Sequence, residues 1–526
     1  MNFLSENSSK KIFQQPYFQQ KGTLEYKVFD KCLKIKIQIT FSKDQKIIYS
    51  RDGVILRVQY IFIECKREEI ANLSKNPEIL KNMEQIKNLA WQGEKAQNNK
   101  KHGKWKASWN GEGLMNVGGY YKDGLKQGLW KEIIENYSTQ AQVYLFGEYY
   151  KDLRRGKWSY IYKNNKIYGG LYNEEGQKKG KWIELSDGFM DYSQVIYIGQ
   201  YNTNGIKVGV WQIFWFEGLQ IGGGFYSEQL GAQEKKIGRW IELSKGFKQE
   251  SQITYIGEYN IYGIKAGRWD TYFNWRENKK IGGGFYNEQE GSLIKIGRWM
   301  ELSKNFRLDS QIIYNGGYNM KGQKIGKWDI FRLGGEQIGG GLYDEQEGGS
   351  RKIGRWIELS QNFYDYSQVT YNGEYNQNGQ KVGRWNIMYN EGLGYKQIGG
   401  GLYDEFEGYS RKIGRWIELS DDFWMDSQVT YDGIYNKDGR KIDRWDIYLN
   451  YGGNNKIGGG SYNEFEGSSR KNGKWIELWE KFEADCQITY CGQYNKEGKK
   501  VGIWIEMKRE YNEKRFKKIK KLRYDN

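Results

Sequence analysis

The feature that most constrains this chain is a tryptophan returning at near-constant spacing, usually two residues after a glycine. It stands at Trp105, Trp130, Trp158, Trp182, Trp211, Trp240, Trp269, Trp299, Trp328, Trp356, Trp385, Trp416, Trp445, Trp475 and Trp504. A fixed period of this kind marks a stack of small supersecondary units rather than one large core. Spacings cluster near 29 residues and two flavours alternate, so the true repeat is a pair. From Trp182 to Trp475 is 293 residues over five pairs, about 58.6 each.

The first flavour reads Gly238-Arg-Trp-Ile-Glu-Leu-Ser244, then Ser251-Gln-Ile-Thr-Tyr-Ile-Gly-Glu-Tyr259. The second reads Gly267-Arg-Trp-Asp-Thr-Tyr-Phe273, then Ile281-Gly-Gly-Gly-Phe-Tyr286. Each has a short run starting at Trp, a polar loop, and a second run closing on Gly-x-Tyr. Strand-length runs and Asn/Asp/Gly turns make one module a two-stranded hairpin. No hairpin is stable alone, so modules must stack edge to edge into an antiparallel sheet, at roughly 9–10 Å per module. A glycine inside a strand weakens it. Two residues before the closing Tyr, it lies on that Tyr's face and leaves a slot for a neighbouring Trp ring. The Gly-Gly-Gly runs (222–224, 282–284, 339–341, 399–401, 458–460) do not suit a phosphate cradle, because such loops open a helix and these continue into strands. Trp91-x-Gly93-x-Lys95 followed by Gly103-Lys-Trp105 starts the array near residue 88.

Composition fits thin, half-exposed strands. The 526 residues hold 69 Gly, 21 Trp and 43 Tyr but only 2 Pro, and mean hydropathy is −0.87. The cysteines (Cys32, Cys65, Cys486, Cys491) show neither metal spacing nor a disulfide framework, which points to a reducing compartment. Met1 to Gln15 lacks the apolar segment of a signal peptide, and no stretch is apolar enough to span a bilayer. The expectation is a soluble, intracellular, cytoplasmic protein. Of the net charge of +17, the tail from Met507 to Asn526 carries nine Lys/Arg against three Asp/Glu. That is a local basic feature, not a groove along the whole chain.

Tyr375-Asn-Gln-Asn-Gly-Gln-Lys-Val-Gly-Arg-Trp385 and its copies resemble MORN-type repeats, in the variant ending Gly-x-Trp that also occurs in bacterial antitoxin-like modules. The resemblance covers roughly residues 88–506, and long arrays of this kind are similar to large ciliate repeat families. The 29-residue module is longer than the family's, and Trp stands where MORN repeats usually have Gly. The resemblance implies scaffolding near the cytoskeleton, cilium or cell cortex, and little chemistry.

At the ends, Leu33, Ile35, Ile37, Ile39 and Phe41 alternate with polar residues as a half-buried strand does. Val54 to Ile63 reads as another strand after a turn at Asp52-Gly53. A helix is expected from Asn76-Pro77-Glu78, with Leu80, Met83, Ile86 and Leu89 on one side. These strands (about 26–63) and helix (about 77–90) would form a cap over the first sheet edge. In the tail, Phe516, Ile519 and Leu522 fall at helical spacing among Lys514, Arg515, Lys517, Lys518, Lys520, Lys521 and Arg523. An anionic membrane surface or an acidic protein groove would suit such a helix.

Catalytic chemistry finds little material. His102 is the one histidine and reads as an exposed turn residue, which removes histidine triads and relays. Cys486 replaces the serine of Ser251, Ser310, Ser367 and Ser427, so it reads as structural. Glu184, Glu242, Glu301, Glu358, Glu418 and Glu477 each follow a Trp by two residues. Catalysis needs one asymmetric pair, whereas these are equivalent copies expected to pair with nearby Lys or Arg. The acidic loops at 344–348 and 404–408 lack the ligand spacing of a calcium loop. Aromatic and basic residues alternate at each Gly-Arg-Trp, but interleaved acids argue against nucleic acid.

The expectation is therefore an all-β fold, an elongated single antiparallel sheet of stacked hairpins (a MORN-like solenoid). Residues 1–87 form a small strand-and-helix cap, 88–506 about fifteen modules, and 507–526 a basic amphipathic tail. The tryptophans from Trp182 to Trp504 are its structural anchors. Functionally it reads as a non-enzymatic scaffold for protein partners, without metal or cofactor. The alternative is a peripheral membrane or cortical tether using the tail.

Overall fold

The strands carry their own grammar, visible in one pair of modules. Lys352–Leu359 pairs antiparallel with Gln368–Tyr375, placing Trp356 beside Gly373. The next strand, Lys381–Asn390, pairs Val382 with Glu374 and Asn386 with Asn372, so Gly383, Arg384 and Trp385 together oppose Gly373. This is a β-bulge, and its first residue, Gly383, takes a φ of 63° that glycine adopts without strain. The bulge swings the Trp385 ring over Gly373, where a Cβ would lie 2.2 Å from the ring. The Trp445 copy has Asp443 at the bulge, at φ 54°.

This computed structural model describes residues 18–28, 31–41, 46–51, 54–60, 80, 82–97, 100–215, 218–228, 233–274, 277–287, 293–345, 349–406, 408–480, 482–510, 513 and 515–524. It divides into two units, Met1–Gln249 and Glu250–Asn526. In the first, strands run in chain order from Leu89–Lys95 to Lys236–Leu243; in the second, from Ile253–Tyr259 to Lys517–Tyr524. Neighbours are antiparallel throughout, and among the described residues no pairing closes either ladder on itself. The all-β architecture of stacked hairpins read from the sequence is the one present.

Each triple glycine answers three separate steric demands. A Cβ on Gly399 would meet the Ile417 carbonyl at 2.6 Å, one on Gly400 the Trp385 carbonyl at 2.1 Å, and one on Gly401 the Trp416 ring at 2.4 Å. The run is a place where three strands approach closely, and it lies within a strand, Tyr395–Phe406.

Loops form a second layer over the Trp side of the sheet. In 360–367, Phe363 is buried against Ile312, Ile330 and Ile338 of the preceding pair; Phe423 and Phe482 repeat this one and two pairs later. Burying each ring contributes on the order of 2 kcal/mol. Successive loops are also stapled. The Ser310, Ser367 and Ser427 hydroxyls donate to the carbonyls of Phe363, Phe423 and Phe482 at 2.7, 2.8 and 2.8 Å. Backbone N–H groups of Asp365, Met425 and Ala484 donate to Asp309, Tyr366 and Asp426. The first unit has the same staple from Ser193 to Phe247 at 2.6 Å.

The N-terminal sheet has strands β1 (Phe18–Val28), β2 (Lys31–Phe41), β3 (Lys46–Arg51) and β4 (Val54–Tyr60), antiparallel in that order. The helix α1 spans Met83–Asn88. The expected start at residues 77–79 and the strand end at 61–63 lie outside the described residues. Leu80 is not helical and Leu89 already begins a strand, so the helix is shorter than its apolar spacing suggested. Its start is set by Asn82, whose side chain accepts the Glu84 N–H at 2.8 Å. Gln85 donates to the Glu135 and Tyr137 carbonyls, and Glu84 accepts from Thr139. Helix α1 thus occupies the place a preceding loop would take on loop 134–142, while Arg57 of β4 reaches the Leu89 carbonyl. These contacts of the region with the array are made to its first loop and, through Arg57, to the Leu89 carbonyl.

Two further expectations are corrected. His102 is exposed but lies in strand Lys101–Trp109, its carbonyl accepting the Trp105 indole N–H. The basic tail holds no helix among its described residues: Lys500–Arg509 runs past residue 507, and Lys517–Tyr524 is a strand paired to it. Trp504 opposite Leu522 gives that segment an apolar strand partner, which outweighs its helical spacing.

Candidate interaction surfaces

The anchors Trp182, Trp211, Trp240, Trp269, Trp299, Trp328, Trp356, Trp385, Trp416, Trp445, Trp475 and Trp504 are all buried. Apart from Trp240, for which the contact with the preceding Tyr226 is the one described, each meets a Tyr edge-on before and after it. In the second unit the series runs Tyr375, Trp385, Tyr403, Trp416, Tyr435, with centroids alternating near 5 and 6 Å. Edge-to-face contact sets the positive ring rim of one against the negative face of the next. These residues are structural and none is free to stack on a ligand.

Above the ladder lies a row of lysines, each four residues before its Trp. Lys324, Lys381 and Lys441 sit 3.6, 3.7 and 3.8 Å from the indole centroids of Trp328, Trp385 and Trp445. The glutamates join these cations. Glu358 accepts from Lys352, from Lys381 at 2.8 Å and from the Tyr375 hydroxyl at 2.7 Å; Glu418 and Glu477 repeat the set. Burial alone would raise the Glu358 carboxyl, but its two ammonium partners hold it below the usual range. Burial lowers the Lys381 ammonium, assisted by Lys352 and Lys412 and only partly opposed by Glu358. The Tyr375 hydroxyl is pushed up by burial and by the carboxylate it donates to. The paired-carboxylate expectation holds wherever these partners are described. The lysines themselves were missed in the sequence, although a cation precedes every anchor by four.

Between the lysine row and the loop layer lie repeated clefts. One of about 320 Å³ is lined by Glu184, Ser186, Lys207, Trp211, Lys236 and Glu242. Another, about 700 Å³, has the equivalent Glu358, Ser360, Lys381, Trp385, Lys412 and Glu418. Their glutamates and lysines are paired with one another, Asp187 or Asp421 adds a further carboxylate to each, and neither lining contains histidine or cysteine. Cys486 and Cys491 are free thiols, and no cluster of three metal-ligating side chains occurs among the described residues.

The opposite face differs. The residue before each Trp points there, and its cross-strand partner is often apolar. Arg268 faces Phe285, Lys327 faces Leu342, Arg384 faces Leu402 and Arg415 faces Ile434. Phe285, Leu342, Leu402 and Ile434 are between 41% and 47% exposed, far above the buried side chains of the Trp face. Some cations find carboxylates, as Arg415 does in Asp432 and Arg444 in Asp446. Among the described residues, Arg384 donates to the Asn386 side chain at 3.3 Å and to no carboxylate. This stripe of cations and apolar side chains was not read from the sequence, though strand alternation from each buried Trp would have placed it.

Of the tail cations, Lys517, Lys518, Lys520, Lys521 and Arg523 are exposed on the last strand, Arg515 is exposed just before it, and Lys514 lies outside the described residues. Lys517 pairs with Glu513.

No family model and no curated protein matches the chain. Among solved structures, a crystal structure of "the eukaryotic initiation factor" aligns with 83% of this chain and 96% of its own length, at 9% identity and a TM-score of 0.24. A likeness that loose carries no argument. No helix among the described residues is long and apolar enough to cross a membrane.

Proposed function

We propose that the chain is a non-enzymatic scaffold that presents a long repeated surface to protein partners. The observation that carries this is the face opposite the Trp ladder, where in several strand pairs a cation stands beside a large, exposed apolar side chain. Apolar patches rimmed by arginine are the composition of protein interfaces. Copy-to-copy equivalence supports the non-enzymatic part, since a repeated, internally neutralised Lys–Glu–Tyr set offers no acid and base of different strength. Resemblance to MORN-type repeats supports a setting at the cytoskeleton, cilium or cortex. The tether alternative draws on the last strand, whose test is given below.

Proximity labelling in the native cell tests the scaffold reading. A chain carrying Arg355→Glu, Leu402→Asp and Arg415→Glu, all on the exposed face, should lose most of the neighbours labelled by the unaltered chain. An unchanged set of neighbours would sink the reading.

A further inference from the structure

The last strand, Lys517–Tyr524, is built unlike every other strand in its place. In earlier copies the residue opposite an anchor Trp in this position is glycine, as Gly401 is opposite Trp385 and Gly460 opposite Trp445. Each of those glycines lies beneath the next anchor, Trp416 or Trp475, with no room for a Cβ. Opposite Trp504 stands Leu522 instead, packed into the aromatic cluster together with Tyr524. Leu522 fills the slot in which a further Trp would sit, so another Gly-x-Trp strand cannot dock here.

The backbone edge is nevertheless available. Among the described residues, the one strand pairing of Lys517–Tyr524 is with Lys500–Arg509. Apart from Lys517, which pairs with Glu513, and Lys520, which stands across the strand from Glu506, the cations of Lys517–Tyr524 also lack the compensation seen inside the array. Lys518, Lys520, Lys521 and Arg523 are exposed, with no carboxylate within ion-pair distance among the described residues. An identical edge from a second copy would bring like charges together, which is how exposed edges are kept from pairing with themselves. An acidic strand would instead gain both backbone hydrogen bonds and neutralisation.

We infer that Lys517–Tyr524 is a docking edge for an extended acidic segment of a partner protein, which adds to the sheet as one more antiparallel or parallel strand. This rests on the scaffold reading and names the chemistry of one partner. Specificity comes from charge along the edge and from the requirement that the segment carry no bulky side chain over Leu522.

The test uses the full chain and a short fluorescein-labelled peptide of alternating Glu and Val, read by anisotropy. The expected result is saturable binding that weakens about tenfold or more in the K518E/K520E/K521E/R523E variant, since several exposed charge pairs are lost together. The milder K518Q/K520Q/K521Q variant should fall between, with the same thermal melt as the parent. A peptide of equal charge with two central prolines, unable to pair along its backbone, should bind at least about tenfold more weakly. Equal binding of the proline peptide would overturn the inference, because charge alone would then explain it. So would no binding, or binding only to vesicles of phosphatidylserine and phosphatidylcholine, which would favour the membrane tether. The scaffold reading fails separately, through the exposed-face variant that leaves this strand untouched.

Discussion

Replacing Gly373 by alanine adds one methyl group, and the structure says where it goes. It would lie 2.2 Å from Trp385 Cδ2 and 2.3 Å from Cε2, when ordinary contact begins at 3.4 Å. The indole must therefore lift by about 1 Å. It is held on both sides, by Tyr375 at 5.3 Å and Tyr403 at 6.1 Å, and from above by Lys381 at 3.7 Å. Overpacking of this kind costs about 1–3 kcal/mol, and each disturbed aromatic contact adds about 0.5–1.5. The ceiling is the loss of the ring itself, about 3–5 kcal/mol for Trp385→Ala. The expected penalty for Gly373→Ala is thus about 2–4 kcal/mol.

Because repeat arrays yield locally, the measurement is native-state hydrogen exchange across Gln368–Tyr375 and Lys381–Asn390, alongside urea unfolding. Gly246→Ala is the control: an added Cβ there meets nothing within 4 Å, and the change should stay within about 0.5 kcal/mol. In a Trp385→Ala background, Gly373→Ala should cost nothing, so the double-mutant cycle recovers nearly the whole penalty as coupling. A penalty that persists without the indole, or one no larger than at Gly246, would refute the covering-ring account of the repeat.

Three other outcomes follow from named contacts. The carboxyls of Glu301, Glu358, Glu418 and Glu477, which burial would raise, are held low by their lysines. They contribute stability that is full above the ordinary carboxylate value of about 4.3 and lost as pH falls through and below it. The urea midpoint should drop steeply between about pH 5 and pH 3, and E358Q/E418Q should flatten that drop; an unchanged slope would count against the ion-pair sets. Ser367→Ala removes a buried hydroxyl bond to the Phe423 carbonyl, so exchange in 420–428 should quicken by about 1 kcal/mol equivalent, with strands beyond the next pair unaffected. Asp443→Gly relieves a left-handed residue where other copies carry glycine and should stabilise its module by about 0.5 kcal/mol; destabilisation would reveal a role for the carboxylate.

Much of the architecture was legible because period and strand alternation are local properties. Gly-x-Trp spacing located the modules, and the glycine slot followed from which residues share a face. The bulge was not legible in the same way, since it depends on register: only pairing shows Gly383-Arg-Trp385 set against Gly373 alone. The tail was misread because Phe516, Ile519 and Leu522 fit helical spacing, while the competing strand partner, Trp504, lies some eighteen residues back in the chain. Helix α1 was overextended for a related reason: Leu89 belongs to the apolar stripe by spacing but to the first hairpin by pairing. The Lys row at four residues before each Trp lay in plain view, since strand alternation alone puts residues four apart on one face.

The two faces divide structure from recognition. On the Trp side, each ring covers a glycine and each described glutamate set is met by lysine and tyrosine, so that surface is closed on itself, copy after copy. Repetition there cannot tell one partner from another. Selectivity must come from positions where the copies differ: Leu342 and Leu402 against Ser461 on the exposed face, Asp443 at a bulge, Cys486 for serine in the last loop, Leu522 for glycine at the last edge. Leu522 differs in kind from the others. It changes what can be added to the sheet, whereas they change only its decoration. If the acidic-strand inference holds, converting Leu522→Gly should leave peptide binding within about threefold, because the edge and its charges remain. The same change should cost local stability by emptying part of the aromatic cluster, seen as faster exchange in Lys517–Tyr524. A variant that lost the peptide while keeping strand protection would mean that Leu522 itself is the contact, and the edge merely its support.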